Sequence, residues 1–172
     1  MDKYLFLDFD GVLNTNNYTR RLKRQGIDPY DEFGAMFDPV AIHNLNNIVE
    51  QTYCKIIISS AWRTEGLMRM QALWRDRNLP GSIFSMTPIL LSTTFKDSQT
   101  GDIFGYTSRN TKALEIDAWL EQNEAKQFNY AIIDDENVFF QHQQSHLVQT
   151  APSDGINLPQ AQLAIAILEH FA

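Results

Sequence analysis

Three short apolar runs, "KYLFLDF", "CKIIIS" and "FNYAIIDDE", punctuate the chain, with helix-patterned segments between and after them. The first stops at a glycine turn and the second is apolar at every position before its serine except Lys55, as a central strand covered on both faces must be. Between them, "DPVAIHNLNNIVEQT" offers Asp38 as N-cap and Pro39 at the first helical position. Val40, Ile42, Leu45, Ile48 and Val49 form its apolar stripe. "TEGLMRMQALWRDRN" and "RNTKALEIDAWLEQNEA" read as two further helices, "HLVQT" as a fourth short strand, and "LPQAQLAIAILEHF" as a C-terminal helix. Strands that alternate with helices predict a three-layer, Rossmann-like α/β fold with a mainly parallel sheet. The chain has 172 residues, 44% of them hydrophobic, enough for one substantial core, so a single domain over 1–172 is expected. Two stretches break the pattern. Residues 15–37 read as a small loop insertion, polar and basic in the middle, and residues 82–108 read as an irregular segment with one or two strands.

Composition excludes some classes. A single cysteine, Cys54, leaves no internal disulfide and no cysteine-built zinc site. No apolar run approaches the length of a membrane span and no leader pattern opens the chain, so a soluble cytoplasmic protein without a membrane or obligate protein partner is expected. A net charge of -7 disfavours a broad surface that tracks nucleic-acid phosphates, but it does not bear on a local pocket.

The chemistry lies where the strands end. Asp8 and Asp10 close the first, Ser59 and Ser60 the second, Asp134 and Asp135 the third. In a parallel sheet these ends share one edge, where ligands bind in folds of this architecture. Carboxylates brought together there need protons or a cation, and an all-oxygen donor set favours Mg²⁺ over zinc. Magnesium keeps positions open for phosphate oxygens, which points to phosphoryl transfer.

"LDFDGVLN" resembles motif I of the haloacid dehalogenase (HAD) superfamily, an apolar strand followed by DxDG. "IIIS" with the following "SAWR" resembles motif II, Lys112 suits motif III, and "YAIIDDE" resembles the paired-acid form of motif IV. The finer set "LDFDGVLN", "IIISSAWR", "KALEIDAWL", "YAIIDDE" and "LVQTAPSDGINL" is similar to HAD domains grouped with Swiss Army Knife RNA repair proteins. The resemblance implies a Mg²⁺-dependent phosphomonoester hydrolase that works through an aspartyl-phosphate. Asp8 would attack phosphorus, and Asp10 would protonate the leaving group and then deprotonate water. Ser59 would bind a phosphate oxygen, with Ser60 the alternative, and Lys112 would hold Asp8 and the phosphate together, with Arg109 the alternative. Metal ligands would be Asp8, the backbone carbonyl of Asp10, and Asp134, with Asp135 as a further ligand or an orienter of waters.

Arg63 is a candidate for a second substrate group, against a surface role. His142 and His146 stand four apart but lack a third ligand. The run Arg20, Arg21, Lys23, Arg24 reads as a solvated face, and Asn14 as shaping the turn after motif I. Members of the superfamily carry caps after motif I or between motifs II and III. Neither segment here is long enough for a folded cap, so a capless or minimally capped site is expected. An open site suits a large or end-presented phosphate, such as a nucleic-acid terminus or a phosphoprotein, and a nucleotide if residues 15–37 fold over it; phosphorylated nucleic-acid ends or nucleotides lead as expected substrates. The alternative is a non-catalytic phosphate- or protein-binding module on the same scaffold, for which the second acid of motif I would have no use.

Overall fold

The computed structural model describes residues 1–90, 94–96, 103–105, 111–123 and 127–170. Five strands form one sheet: β1 (Asp2–Leu7), β4 (Lys55–Ile58), β5 (Ile83–Met86), β8 (Phe128–Asp134) and β9 (Leu147–Gln149). Their spatial order is β5-β4-β1-β8-β9 and every pairing is parallel. Leu7 on the central strand pairs with Ile58 on one side and Ile133 on the other. The strand order therefore reverses at β1, and Asp8 follows immediately at the switch point where such sheets bind ligands.

The sheet is buried on both faces because its strands carry apolar residues at both parities. Leu5 and Leu7 face a cluster built with α2 (Pro39–Thr52), α3 (Leu67–Asp76) and α5 (Leu158–Glu169). Tyr4 and Phe6 face the other way, against Ala113, Ile116 and Trp119 of α4 (Thr111–Glu121). Tyr4 and Phe6 both meet Trp119 edge-on, at ring-centroid distances of 5.0 and 5.3 Å, an arrangement that the aromatic quadrupoles favour. Helices on both faces of a parallel sheet give the three-layer α/β architecture that the alternating pattern predicts.

The segment expected as a loop at 15–37 is more ordered than that. It holds α1 (Asn16–Arg24), capped by the Thr15 side chain, and a short antiparallel hairpin of β2 (Tyr30–Asp31) and β3 (Gly34–Ala35). Gly26 and Gly34 both adopt positive φ, which lets the polar segment fold back twice. Arg20, Arg21, Lys23 and Arg24 all lie exposed along α1, as a solvated face.

Asp38 caps α2 as expected, accepting from Val40 N at 2.9 Å, and its second oxygen accepts from Thr15 Oγ1 at 2.8 Å. One acid thus fixes two helix starts. The helix after β4 begins later than its pattern predicts. A 3-10 turn spans Ala61–Glu65, and Gly66, at φ 89°, separates it from α3. In the irregular stretch at 82–108 the described residues include β5 and an antiparallel pair, β6 (Thr94–Lys96) and β7 (Ile103–Gly105). Among the described residues, no helix is long and apolar enough to cross a membrane.

Candidate active site

Backbone pairing carries the sheet one residue past its strands and fixes the groups at their ends. Asp8 N donates to Ile133 O at 3.1 Å, Ser59 N to Leu7 O at 3.0 Å, and Thr150 N to Asp134 O at 3.0 Å. The chain then turns back within residues 9–14. Leu13 N and Asn14 N both donate to Phe9 O, and Gly11, at φ 69°, closes the turn. A β-carbon on Gly11 would stand 2.6 Å from Asp135 Oδ2. Glycine is required there both by its dihedral and by the approach of the acid from β8.

Three carboxylates converge. Oxygens of Asp8, Asp134 and Asp135 lie within 4.8 Å of one another. Asp8 and Asp134 are buried and share one cation: Lys112 Nζ donates to Asp8 Oδ2 at 2.7 Å and to Asp134 Oδ2 at 2.8 Å. Glu136 stands further out, 3.6 Å from the same ammonium. Burial and then the charge on Asp8 push the Asp134 carboxyl up to about 7, against the opposing pull of Lys112. Asp135 is raised in the same way, by burial first and Asp8 second. For Lys112 burial favours the neutral amine, but Asp134 and Asp8 outweigh it and the net shift is upward. A cation beside these acids would favour their charged forms, as Lys112 already does for Asp134 and Asp135.

Ser59 and Ser60 both lie at the carboxyl end of β4 and both are buried. Ser60 Oγ caps the 3-10 turn by accepting from Trp62 N at 3.4 Å, whereas Ser59 Oγ is buried with no partner among the described residues. An unpartnered buried hydroxyl at the edge of an acidic cluster is free to donate to a ligand oxygen.

Asp10 sits apart from the three acids and is exposed. Asn14 Nδ2 donates to its Oδ1 at 2.7 Å and Trp62 Nε1 to its Oδ2 at 3.0 Å. Asn14 therefore holds an acid as well as shaping the turn. The role of Trp62 was not legible, because its 52-residue separation from Asp10 leaves no local spacing to read.

Arg63 does not face a ligand. Its Nε donates to Thr87 O at 3.2 Å, Nη1 to Ser59 O at 3.1 Å and Ser60 O at 2.8 Å, and Nη2 to Pro88 O at 3.4 Å and to Glu115. The expectation that it binds substrate is corrected: a buried guanidinium with every nitrogen engaged ties the serine turn to β5 and α4. Glu115, its partner, also accepts from Leu90 N at 3.1 Å. Arg109, the alternative to Lys112, lies outside the described residues. The two histidines do not form a pair: His142 Nε2 meets Asp117 at 2.9 Å, while His146 stacks on Tyr130 and its Nδ1 meets Tyr130 O at 2.8 Å.

A cavity of about 330 Å³ opens beside the acids, lined by Asp10, Gly11, Asn14, Asp135 and residues of α1 and the hairpin, Tyr30 among them. The 15–37 segment thus walls the site.

A parallel α/β sheet with an acid pair after the central strand, a second pair after its neighbour, and a lysine between them defines the HAD class of phosphohydrolase-type domains. The family model described as "HAD domain in Swiss Army Knife RNA repair proteins" matches residues 4–161, and the chain belongs to that family. No curated protein and no solved structure matches the chain.

Proposed function

We propose that the protein is a Mg²⁺-dependent phosphomonoester hydrolase with Asp8 as its nucleophile. One observation carries this reading: the oxygens of Asp8, Asp134 and Asp135 lie within 4.8 Å of one another at the switch point of the sheet. Three hard oxygen donors fit Mg²⁺, and Asp8, Asp134, Asp135 and the backbone carbonyl of Asp10 would hold it. Bound there, the ion would screen the anionic nucleophile from the anionic phosphate.

The chain's own residues supply the rest. Asp8 Oδ1 accepts from Phe9 N at 2.8 Å and Oδ2 from Lys112 at 2.7 Å, so the carboxylate is held rigidly in one orientation. Attack by Asp8 forms an acyl phosphate as the leaving oxygen departs, and Asp10 supplies the proton it needs. Asp10 then takes a proton from the water that releases phosphate. The Ser59 hydroxyl binds a phosphoryl oxygen, and the Lys112 ammonium keeps Asp8 and the phosphate charge-balanced.

Phosphorylated nucleic-acid ends or nucleotides lead as substrates. The cavity beside Asp10, about 330 Å³ with Tyr30 in its wall, is of the size that receives one small group, and a family described from RNA repair proteins supports a nucleic-acid context. The test is a phosphatase screen over nucleotides, sugar phosphates, phosphopeptides and 5′- or 3′-phosphorylated oligonucleotides, with and without EDTA. Hydrolysis that EDTA stops, highest on the nucleotide classes, is expected. Hydrolysis indifferent to EDTA contradicts the metal assignment.

A further inference from the structure

Trp62 links two parts of the molecule that the reaction must coordinate. Its Nε1 donates to Asp10 Oδ2 at 3.0 Å while Asn14 Nδ2 donates to Oδ1 at 2.7 Å, so a neutral donor holds each oxygen of the proton-transferring acid. The indole is fixed in turn. It meets Phe9 edge-on at 5.5 Å and Phe37 at 5.9 Å. The β2–β3 hairpin lies directly on it at Gly34, whose φ is 120° and where a β-carbon would stand 2.8 Å from Trp62 Cη2. Arg77 secures the hairpin, donating to both oxygens of Asp31 at 2.6 and 3.0 Å and to Gly34 O at 3.2 Å. The same residue lines a cleft of about 700 Å³ with Tyr30, Phe33 and Arg69.

We infer that Trp62 is a positioning residue for Asp10 and that the hairpin, through Gly34, sets its position. The inference rests on the phosphohydrolase reading above. As the bond from Asp8 to phosphorus forms and the bond to the leaving oxygen breaks, Asp10 passes its proton to that oxygen. The carboxylate left behind keeps the Trp62 and Asn14 hydrogen bonds, which strengthen as charge develops on their acceptor. It then accepts a proton from the water that attacks phosphorus and frees Asp8. Proton transfer depends on the donor's reach and direction to within a fraction of an ångström. A loosened Asp10 therefore harms a basic leaving group more than one that departs without help.

Two aryl phosphates read this directly: phenyl phosphate and p-nitrophenyl phosphate share a ring, and the second has much the less basic leaving oxygen. The quantity compared is kcat/KM, which reports the step that phosphorylates Asp8. In Trp62→Phe it is expected to fall about tenfold on phenyl phosphate and less than about twofold on p-nitrophenyl phosphate. Gly34→Ala, which pushes on the indole, should show the same selective loss, and the double variant should be no worse than Trp62→Phe alone. Equal losses on both substrates, or additive losses in the double variant, overturn the proposal while leaving the nucleophile assignment intact. If Trp62→Phe does not fold, Gly34→Ala alone decides between selective and equal loss. Hydrolysis that survives Asp8→Asn would overturn the nucleophile assignment and the proposal together.

Discussion

Arg63 shows how a charged residue beside a site can serve it without touching substrate. The pair with Glu115 is buried on both sides, at 6% and 5% side-chain exposure, and the guanidinium also gathers four backbone carbonyls. Removing one partner leaves an uncompensated buried charge. Arg63→Met is therefore expected to lower stability by about 3–5 kcal/mol in urea unfolding. Restoration of most of that loss by a second substitution, Glu115→Leu, would mark the cost as the orphaned charge; no restoration would place it in the carbonyl contacts. Gly11 carries a second prediction. Alanine there would displace Asp135, whose Oδ2 stands 2.6 Å from the new β-carbon. Gly11→Ala should weaken Mg²⁺ binding, measured by calorimetry, more than tenfold, the order seen when groups that orient metal ligands are lost.

At the scale of elements, the legible and illegible parts divide by the range of the interactions. The strand ends were legible because each is a local pattern, an apolar run stopped by Asp or Ser, and parallel pairing alone then brings Asp8, Ser59 and Asp134 to one edge. The start of α2 was legible because a cap and a proline are adjacent. Helix α1 was not: its only buried residue is Leu22, so it carries no apolar stripe to read. Its order comes from contacts distant in sequence, with Asn16 N and Asn17 N donating to Pro152 O at 2.9 Å and Ser153 O at 3.2 Å. The misreading of Arg63 has the same origin, since its partner lies 52 residues away. The loop at 151–155 matters for the same reason. A β-carbon on Gly155, at φ 62°, would stand 2.3 Å from Val12 O, in the turn that carries motif I. Gly155→Ala is expected to lower thermal stability and activity together, whereas Gly26→Ala, at φ 71° with nothing within 4 Å, should cost only its dihedral strain, about 1 kcal/mol.

For the whole molecule, burial sets the response to alkali. Burial pushes the Cys54 thiol up, and burial with the Asp117 charge pushes the Tyr130 hydroxyl up to about 12. Both groups stay protonated in the folded protein at a pH where the unfolded chain has begun to lose those protons. The unfolded state then binds fewer protons, so stability is full below the unfolded thiol value near 9.0 and falls as pH rises through it. Urea midpoints should decline from pH 8 to pH 11, and a thiol probe should label Cys54 only on unfolding.

The central claim concerns what Asp8 does, and trapping tests it most directly. Protein mixed with substrate and Mg²⁺ is quenched in acid within one turnover and its peptides are weighed. A phosphoryl group on the peptide that carries Asp8, absent from Asp8→Asn along with all hydrolysis, is the predicted result. Hydrolysis that continues in Asp8→Asn would contradict it.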